Sequence, residues 1–353
     1  MSFYQCQKCK NVWQYSIKKC PLCFSVLEKN NGKEFKVIGV SKVSIPTLVH
    51  PKTPYFVLVL EDENRNRWTH KSLKEYKMGE KFDVKPIPGE KTVAVWRVKY
   101  DIPETIKTVV ELIGGINVDQ SSKILILPSL NLPKHPYFAE NTSPQFLDGV
   151  IKFLIQSGAN HKNIKIGAQS FNDLPIELSV QKSQLLKVCV KNKTEPLDLS
   201  KTNFVEKKQG NTTFEVSEEA FNNSLIINLP ILKLDKKFGV KGASENTLKL
   251  LSKKSYTSLK YLYDYPKLIA EAEKVLPKSL TIAEGISIQK ETGYTALLGL
   301  ILASFNSLNI ERVFAEITMK KDLPDYLKNI KIQDVPIAGR RIGELQYDVE
   351  KFY

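Results

Sequence analysis

The alternation of hydrophobic and polar residues predicts short β-strands in the first third of the chain. Between residues 32 and 100, apolar and polar residues alternate in short runs separated by polar turns and by Gly or Pro. A period of two is typical of half-buried strands. Strands are predicted at 35–45, 54–61, 65–71, 81–86 and 92–100. Five strands in about 70 residues are what a small OB-type barrel requires.

Beyond residue 100, segments with helical spacing alternate with continuous apolar runs. Helices are predicted at 103–113, 141–158 and 307–318. Strands are predicted at 123–127, 164–166, 185–190, 225–229, 280–283 and 297–303. The polar span 191–218 is predicted to be connecting structure or an inserted hairpin. This alternation of helices and strands predicts an α/β domain with a mostly parallel sheet.

The cysteine spacing predicts a metal site near the amino terminus. Two pairs, separated by ten residues, have two residues between their cysteines: Cys6 with Cys9, and Cys20 with Cys23. Such pairs form tight turns that direct four sulfurs at one ion, and the short spacer favours a zinc ribbon over iron in a rubredoxin-like site. Four thiolates complete a tetrahedral coordination sphere, so we expect structural zinc without catalytic chemistry. Lys10 and Phe24 stand where such turns often have glycine.

These patterns predict a multidomain protein. We expect a zinc ribbon at 1–31, an OB-type barrel at 32–100, and an α/β domain with a mostly parallel sheet at 101–353. The longest nearly uncharged apolar stretch, 296–305, is about half of the roughly 20 residues that cross a bilayer. Residues 1–6 lack the layout of a signal peptide. A cytoplasmic location without membrane association is therefore expected.

The positive charge is concentrated at the amino terminus. The formal net charge is +14, and residues 1–100 contain 19 Lys and Arg against 9 Asp and Glu. The three tryptophans also lie there. A basic, aromatic module suits nucleic acid or a nucleotide-bearing cofactor such as coenzyme A, although a solvated basic face is the alternative. We predict a ligand-binding strand with Trp68, His70 and Lys71.

Polar residues also follow three predicted strands of the α/β domain, where ligands of open parallel sheets bind. After the strands come Lys233, Asp235 and Asn246; Glu284; and Asn306 and Glu311. The lysine and the carboxylates could act as acid, base or cation ligands. Ordinary loops and helix caps use the same residue types, so both interpretations remain open.

The amino-terminal segments 4–23, 54–61 and 78–84 resemble the rubredoxin-like zinc-ribbon plus OB-fold proteins associated with acyl-CoA enzymes. The resemblance covers residues 1–100. It implies an accessory module that partners thiolase-like or other acyl-CoA enzymes and contributes to a site for coenzyme A or an acyl group. The cysteines carry over individually, whereas no short motif marks the ligand contacts.

The remainder resembles the domain-of-unknown-function family three-six-two. The segments that carry the resemblance are 226–233, 242–246, 281–286, 301–304 and 336–345. The chain keeps Asn228 of the family pattern but has Leu234 and Asp235 where relatives have Thr and His, which removes the best acid–base group at neutral pH. Some members are iron–sulfur proteins, but only Cys189 remains here beside the zinc cysteines, which is too few for a cubane cluster. We predict that Asn228, Asn246 and Asn306 contact a ligand.

Three functions follow from these observations. The first is a zinc-containing binding or accessory protein, in which the ribbon and barrel recognise acyl-CoA, a nucleotide or a partner acyl-CoA enzyme, and the α/β domain binds a small anion. The second is an enzyme whose Lys233, Asp235, Glu284 and Glu311 converge in the α/β cleft, with or without a metal. The third is single-stranded nucleic-acid binding by the basic barrel. The fused architecture and the lost family residues favour the first.

Overall fold

The structure is a computed structural model that describes residues 2–13, 17, 19–32, 34–45, 54–72, 75–82, 89–98, 101–171, 174–194, 196–262 and 265–349. The chain divides into two compact units, Met1–Pro86 and Ile87–Tyr353. Within the described ranges, no helix has the length and apolar character that crossing a bilayer requires.

The amino-terminal unit contains two antiparallel sheets. Its strands are β1 (Ser2–Cys6), β2 (Val12–Trp13), β3 (Leu27–Asn31), β4 (Phe35–Val43), β5 (Tyr55–Asp62), β6 (Arg67–Ser72) and β7 (Lys81–Phe82). The first sheet has the order β2-β1-β3 and carries the cysteine turns, and the second has the order β6-β5-β4-β7. Alternate residues of β4 and β5, among them Val37 and Leu58, are fully buried and form the core of the second sheet. The two-residue alternation therefore predicted these strands correctly.

The second unit is built on one large, mostly parallel sheet. Its strands are β8 (Val93–Arg97), β9 (Ile124–Pro128), β10 (Ile164–Ala168), β11 (Pro196–Asp198), β14 (Leu225–Leu229), β15 (Ile231–Asp235), β16 (Gly239–Lys241), β17 (Leu280–Gln289), β18 (Thr295–Ser304) and β19 (Ile337–Gly339), and a separate hairpin contains β12 (Phe204–Gln209) and β13 (Thr212–Ser217). The sheet order is β11-β10-β9-β14-β17-β18-β8-β19, with β15 beside β17 and β16 beside β15. β18 runs antiparallel to both β17 and β8.

Helices cover both faces of this sheet. They are α1 (Ile102–Leu112), α2 (Pro144–Gln156), α3 (Ile176–Lys182), α4 (Leu185–Lys191), α5 (Glu219–Asn222), α6 (Ala243–Thr247), α7 (Lys253–Leu262), α8 (Tyr265–Val275), α9 (Ser307–Ile317) and α10 (Asp325–Lys328). Short 3-10 turns occur at Pro136–Phe138, His161–Asn163, Leu199–Lys201, Leu248–Leu250, Ile332–Asp334 and Ile342–Glu344.

Side chains of the central strands alternate between these two helical layers. Ile124 and Ile126 pack in the same core as α1 and α2, whereas Leu125 and Leu127 pack in the core that contains α8. Because both faces of β9 are covered, the strand is continuously apolar, as is typical of parallel sheets. The α2 helix begins after Ser143, whose hydroxyl accepts a hydrogen bond from the third residue of the helix.

Two predictions of individual elements are wrong. The strand predicted at 92–100 as part of the barrel is β8, which pairs with β18 and β19 in the large sheet. The boundary between the two units accordingly falls at Pro86, before this strand. The predicted strand 185–190 is helix α4, in which Leu185, Val188 and Cys189 are buried at helical spacing. By contrast, β12 and β13 form the hairpin predicted within 191–218. Residues 83–88, which include most of the predicted strand 81–86, lie outside the described residues.

Candidate metal centre and ligand cavity

The four amino-terminal cysteines converge on a common centre. Their sulfur atoms all lie within 4.8 Å of one another. The Sγ atoms of Cys6 and Cys23 are 3.3 Å apart, and those of Cys9 and Cys20 are 3.5 Å apart. Sulfurs at about 2.3 Å from a tetrahedral zinc ion would be separated by about 3.8 Å, so this sulfur set fits the ion. All four are free thiols, and together they can bind a metal ion such as zinc.

Each cysteine pair is closed by a turn that ends in a left-handed residue. Lys10 has φ 59° and Phe24 has φ 58°. Their backbone N–H groups donate to the carbonyl oxygens of Cys6 and Cys20, both at 2.9 Å. The two turns thus have the glycine-type geometry although neither residue is glycine, and the left-handed backbone costs roughly 1–2 kcal/mol for each.

The predicted binding strand corresponds to β6, at one edge of the second sheet. The Trp68 ring is half-buried and packs edge-on against Phe35, with 5.4 Å between ring centroids. The His70 ring is also half-buried and contacts Phe82 at 4.9 Å between centroids. Lys71 lies in the strand, where its backbone pairs with β5, and its side chain is outside the described part of the chain. The two rings therefore contribute to the sheet core as well as to its surface.

A cavity in the second unit lies where strands β9 and β14 end. Its volume is about 40 Å³, and we call it the lysine cavity. It is lined by Ser129, Asn131, Phe171, Ile231, Lys233, Gly242, Glu245, Asn246, Lys249 and Tyr256. Ser129 directly follows β9, and Ile231 and Lys233 belong to β15, which begins two residues after β14. This position at the carboxyl ends of parallel strands is the one at which open α/β sheets bind ligands.

The two lysines of the cavity have different charge environments. Lys233 Nζ donates to Glu140 Oε1 at 2.7 Å in a buried ion pair. Burial opposes ionisation of Glu140, but attraction to Lys233 outweighs it and lowers the pKa of that carboxyl group. Lys249 is 5% exposed, and its Nζ donates to the carbonyl oxygen of Pro128 at 3.4 Å. Among the described residues, no carboxylate forms an ion pair with Lys249.

The burial of Lys249 changes its protonation. Transfer from water disfavours the ammonium form and lowers the pKa of Lys249 to about 7. The negative charge of Glu245 opposes this shift, and the positive charge of Lys233 adds to it. A substantial fraction of Lys249 is therefore a neutral amine at neutral pH. The 3-10 turn that contains it is held by the Gln169 amide, which donates to the backbone carbonyls of Lys249 and Leu251.

Two stacked aromatic rings form one wall of the cavity. The centroids of Phe171 and Tyr256 are 3.9 Å apart and their planes differ by 4°. Burial raises the pKa of Tyr256 to about 12, so its hydroxyl stays protonated at neutral pH. The cavity consequently combines an apolar wall with amine, hydroxyl and amide groups and the carboxylate of Glu245, a composition typical of small-molecule sites.

The two asparagines predicted in this region are hydrogen-bonded to each other. Asn246 Nδ2 donates to Asn228 Oδ1 at 2.9 Å and to the carbonyl oxygen of Leu127 at 2.7 Å. Asn228 Nδ2 donates to the carbonyl oxygen of Ala243 at 2.7 Å. Asn228 thus ties the end of β14 to α6, while Asn246 also lines the cavity.

Glu284 and Glu311 are buried acceptors of backbone N–H groups. Glu284 Oε2 accepts from the N–H of Ser143 at 2.8 Å, and Glu311 Oε1 accepts from the N–H of Ser244 at 2.9 Å. Burial raises the pKa of each carboxyl group to about 7, although these hydrogen bonds act in the opposite direction. Neither residue lines the lysine cavity.

The remaining predicted residues have local roles. Asp235 Oδ1 accepts from the N–H of Lys237 at 2.9 Å, and Asp235 pairs with Lys241 at 3.1 Å within the β15–β16 hairpin. Asn306 caps α9 by accepting from the N–H of Asn309 at 2.9 Å. Of the four predicted acid–base candidates, the structure places Lys233 alone in the lining of the lysine cavity.

Several residues that line the cavity were not predicted from the sequence: Ser129, Phe171, Glu245, Lys249 and Tyr256. Glu140, the ion-pair partner of Lys233, was not predicted either. Lys249 had one usable signal, because it stands between the leucines of the Leu248–Leu250 turn, where a lysine is unexpectedly surrounded by apolar residues. The others lie in helices or loops that carry ordinary polar and aromatic residues.

Comparison with known proteins identifies a family for the second unit. No curated protein matches the sequence. Among solved structures, the chain is similar to the Ltp2-ChsH2(DUF35) aldolase, with 16% identity and a TM-score of 0.20 over 29% of this chain and 76% of that chain. It is also similar to the lactate racemase apoprotein from Thermoanaerobacterium thermosaccharolyticum, with 13% identity and a TM-score of 0.38 over 65% of this chain and 58% of that chain.

A structural-genomics protein from Thermotoga maritima has 15% identity and a TM-score of 0.36, over 58% of this chain and 54% of that chain. The chain thus spans a little over half of the length of these last two proteins. The profile of a domain of unknown function, DUF362, matches residues 124–316, which is more than half of the chain. This match confirms the resemblance drawn from the sequence segments above, and the chain belongs to the DUF362 family.

Proposed function

We propose that this protein is a zinc-containing binding protein whose second unit holds a small anionic ligand in the lysine cavity. The observation that carries the proposal is the pair Lys233 and Lys249, which line one cavity. Glu140 is ion-paired with Lys233. Glu245 lines the same cavity and attracts Lys249, but among the described residues no carboxylate forms a direct ion pair with Lys249. A buried cation without a partner is costly, and a bound anion would compensate it.

The chemistry of the lining specifies a small ligand with at least one carboxylate or phosphate group. The cavity volume is about 40 Å³, room for about three water molecules, so the ligand must be small. Ser129 and Asn246 add a hydroxyl and an amide that can orient such a ligand, and the Phe171–Tyr256 wall covers an apolar part.

Isothermal titration calorimetry with 2-hydroxybutyrate, succinate and inorganic phosphate tests this proposal. We expect at least one of them to bind more tightly at pH 6.5 than at pH 8.5, because protonated Lys249 attracts an anion. Lys249→Met should weaken binding by about 10- to 100-fold, which corresponds to the loss of one charge-assisted hydrogen bond. Lys321→Met, at an exposed site away from the cavity, is the matched control. Binding that is unchanged in Lys249→Met, or absent for all three anions, would refute the proposal.

For the amino-terminal unit, we propose structural zinc and an accessory role. Cys6, Cys9, Cys20 and Cys23 would hold the ion, which in a complete set of four thiolates stabilises the fold. The basic composition of residues 1–100 and the resemblance to ribbon-barrel proteins support recognition of an acyl-CoA, a nucleotide or a thiolase-like partner enzyme.

Titration of the full chain with acetyl-CoA, compared with a single-stranded oligonucleotide at low salt, tests the accessory role. We expect acetyl-CoA binding that weakens in Lys71→Met and persists in Lys29→Met, an exposed position on β3. Oligonucleotide binding with a steep salt dependence, and none of acetyl-CoA, would instead support the nucleic-acid alternative.

A further inference from the structure

Lys249 has the surroundings of a nucleophilic lysine, because it is buried and lines a cavity. Its side chain is buried at the wall of a cavity, and the hydrogen bond that its Nζ donates to the Pro128 carbonyl oxygen is long, at 3.4 Å. Most lysines of the described chain are exposed or ion-paired with a carboxylate, as Lys233 is. A lysine amine reacts with carbonyl compounds when burial keeps it neutral, and burial is the main cause of the lowered pKa of Lys249.

We infer that Lys249 forms a Schiff base with small 2-oxo acids that enter the lysine cavity. This inference rests on the anion binding proposed above, and it adds a covalent step and a substrate class. Glu245 is the carboxylate in the lining. The carboxylate of a 2-oxo acid would bind the lysines of the cavity, and its adjacent carbonyl group would supply the electrophile.

The second lysine provides a binding group for the carboxylate. An ammonium has three N–H donors, and the described contacts of Lys233 Nζ use one of them, at Glu140 Oε1. The remaining donors can bind a ligand carboxylate while Glu140 keeps Lys233 charged. A 2-oxo acid could thereby be oriented at one end by Lys233 and react at the other with Lys249.

The proposed step balances without an oxidant or reductant. The Lys249 nitrogen adds to the carbonyl carbon, its proton moves to the carbonyl oxygen, and a carbinolamine forms. The hydroxyl group then takes a proton from solvent and leaves as water, and the nitrogen lone pair completes the C=N bond. The product is a protonated imine in which the ligand carboxylate still faces Lys233.

Reductive trapping of the full-length protein tests the inference. The protein is incubated with 2-oxobutyrate and sodium cyanoborohydride at pH 7.5, at which hydride addition converts an imine to a stable secondary amine. At this pH, a lysine of pKa about 7 contains on the order of several hundred-fold more neutral amine than an ordinary lysine. We therefore expect peptide mapping to find one principal adduct, on Lys249, and 2-hydroxybutyrate to suppress it by competition.

Variants separate covalent chemistry from binding. Lys249→Arg keeps a cation in the cavity but cannot form an imine, so it should bind 2-hydroxybutyrate and give no adduct at residue 249. Lys233→Met should still give the adduct on Lys249 but require more 2-oxobutyrate. The adduct map of the native protein tests the inference even if either variant fails to fold.

The outcomes distinguish the inference from the proposed function. If 2-hydroxybutyrate binds but no adduct forms, or if adducts are spread over exposed lysines, the Schiff-base inference is wrong and anion binding stands. If succinate or phosphate alone binds and no adduct forms, the Schiff-base inference is wrong and anion binding stands. If none of the three anions binds and no adduct forms, both proposals are wrong.

Discussion

Replacing Lys249 with Met should stabilise the protein and change how its stability depends on pH. Met has nearly the same length and places an apolar group in a site that is 5% exposed. The pKa of Lys249 falls from 10.5 in the unfolded chain to about 7 in the folded chain. Between these values the unfolded state binds more protons, so the free energy of unfolding of the native sequence rises with pH.

The size of this effect follows from the pKa shift. One pKa unit corresponds to about 1.4 kcal/mol, so the penalty of Lys249 is on the order of 5 kcal/mol below pH 7. It decreases to roughly 2 kcal/mol at pH 9 and disappears above the pKa of the unfolded lysine. Lys249→Met should therefore exceed the native protein in stability by several kcal/mol at pH 7, and the difference should shrink by about 2–3 kcal/mol by pH 9.

Urea unfolding followed by far-ultraviolet circular dichroism at pH 6, 7, 8 and 9 measures this difference. Lys321→Met serves as the control. Because Lys321 is exposed, the free energy of unfolding of this variant should depend on pH in parallel with that of the native protein. If the curves of Lys249→Met and the native protein run parallel between pH 7 and pH 9, the folded protein does not lower the pKa of Lys249. In that case the electrostatic account of the cavity is refuted.

Three further predictions concern other parts of the chain. Cys6→Ser should reduce bound zinc from one ion per chain to substoichiometric amounts, measured by plasma emission spectrometry after dialysis. Phe24→Gly should stabilise the metal-loaded ribbon by about 1 kcal/mol, because glycine removes the cost of the left-handed backbone, and zinc competition against a chelator would show it; unchanged affinity would contradict this. In Glu284→Gln, the free energy of unfolding should fall less than in the native protein as pH rises from 4.5 to about 7. The reason is that the folded native protein binds the proton of Glu284 more tightly than the unfolded chain does. Chemical denaturation at pH 5 and pH 7 would check it, and equal pH slopes for variant and parent would exclude the effect.

The helices of the second unit were predictable from the sequence where one buried face produces a clear pattern of apolar and polar residues. The α2 helix has a cap, a proline in its first turn and an uninterrupted apolar stripe, and each of these signals is local. The run 185–190 misled the prediction because valine, cysteine and leucine suit strands as well as helices. Leu185, Val188 and Cys189 of this run pack at helical spacing in the core that also contains α2, a tertiary contact that the local sequence does not show.

The candidate site was predictable in position but not in composition. The rule for parallel sheets pointed to the residues after β14, and Lys233 and Asn246 do line the cavity. Lys249 and Tyr256 come from a turn and a helix that follow no strand directly, so the positional rule does not include them. The leucines on either side of Lys249 were its one local signal. Glu284 and Glu311 satisfied the same positional rule, yet they accept hydrogen bonds from the backbone at Ser143 and Ser244.

The placement of β8 has a consequence for synthesis of the chain. Arg97 pairs with Leu300 of β18, about 200 residues later in the sequence. At about 5–20 residues per second, the ribosome needs on the order of ten to forty seconds to deliver that partner. During this time the strand Val93–Arg97 has neither of its neighbours available, so the large sheet cannot be completed until the last strands of the chain have been made.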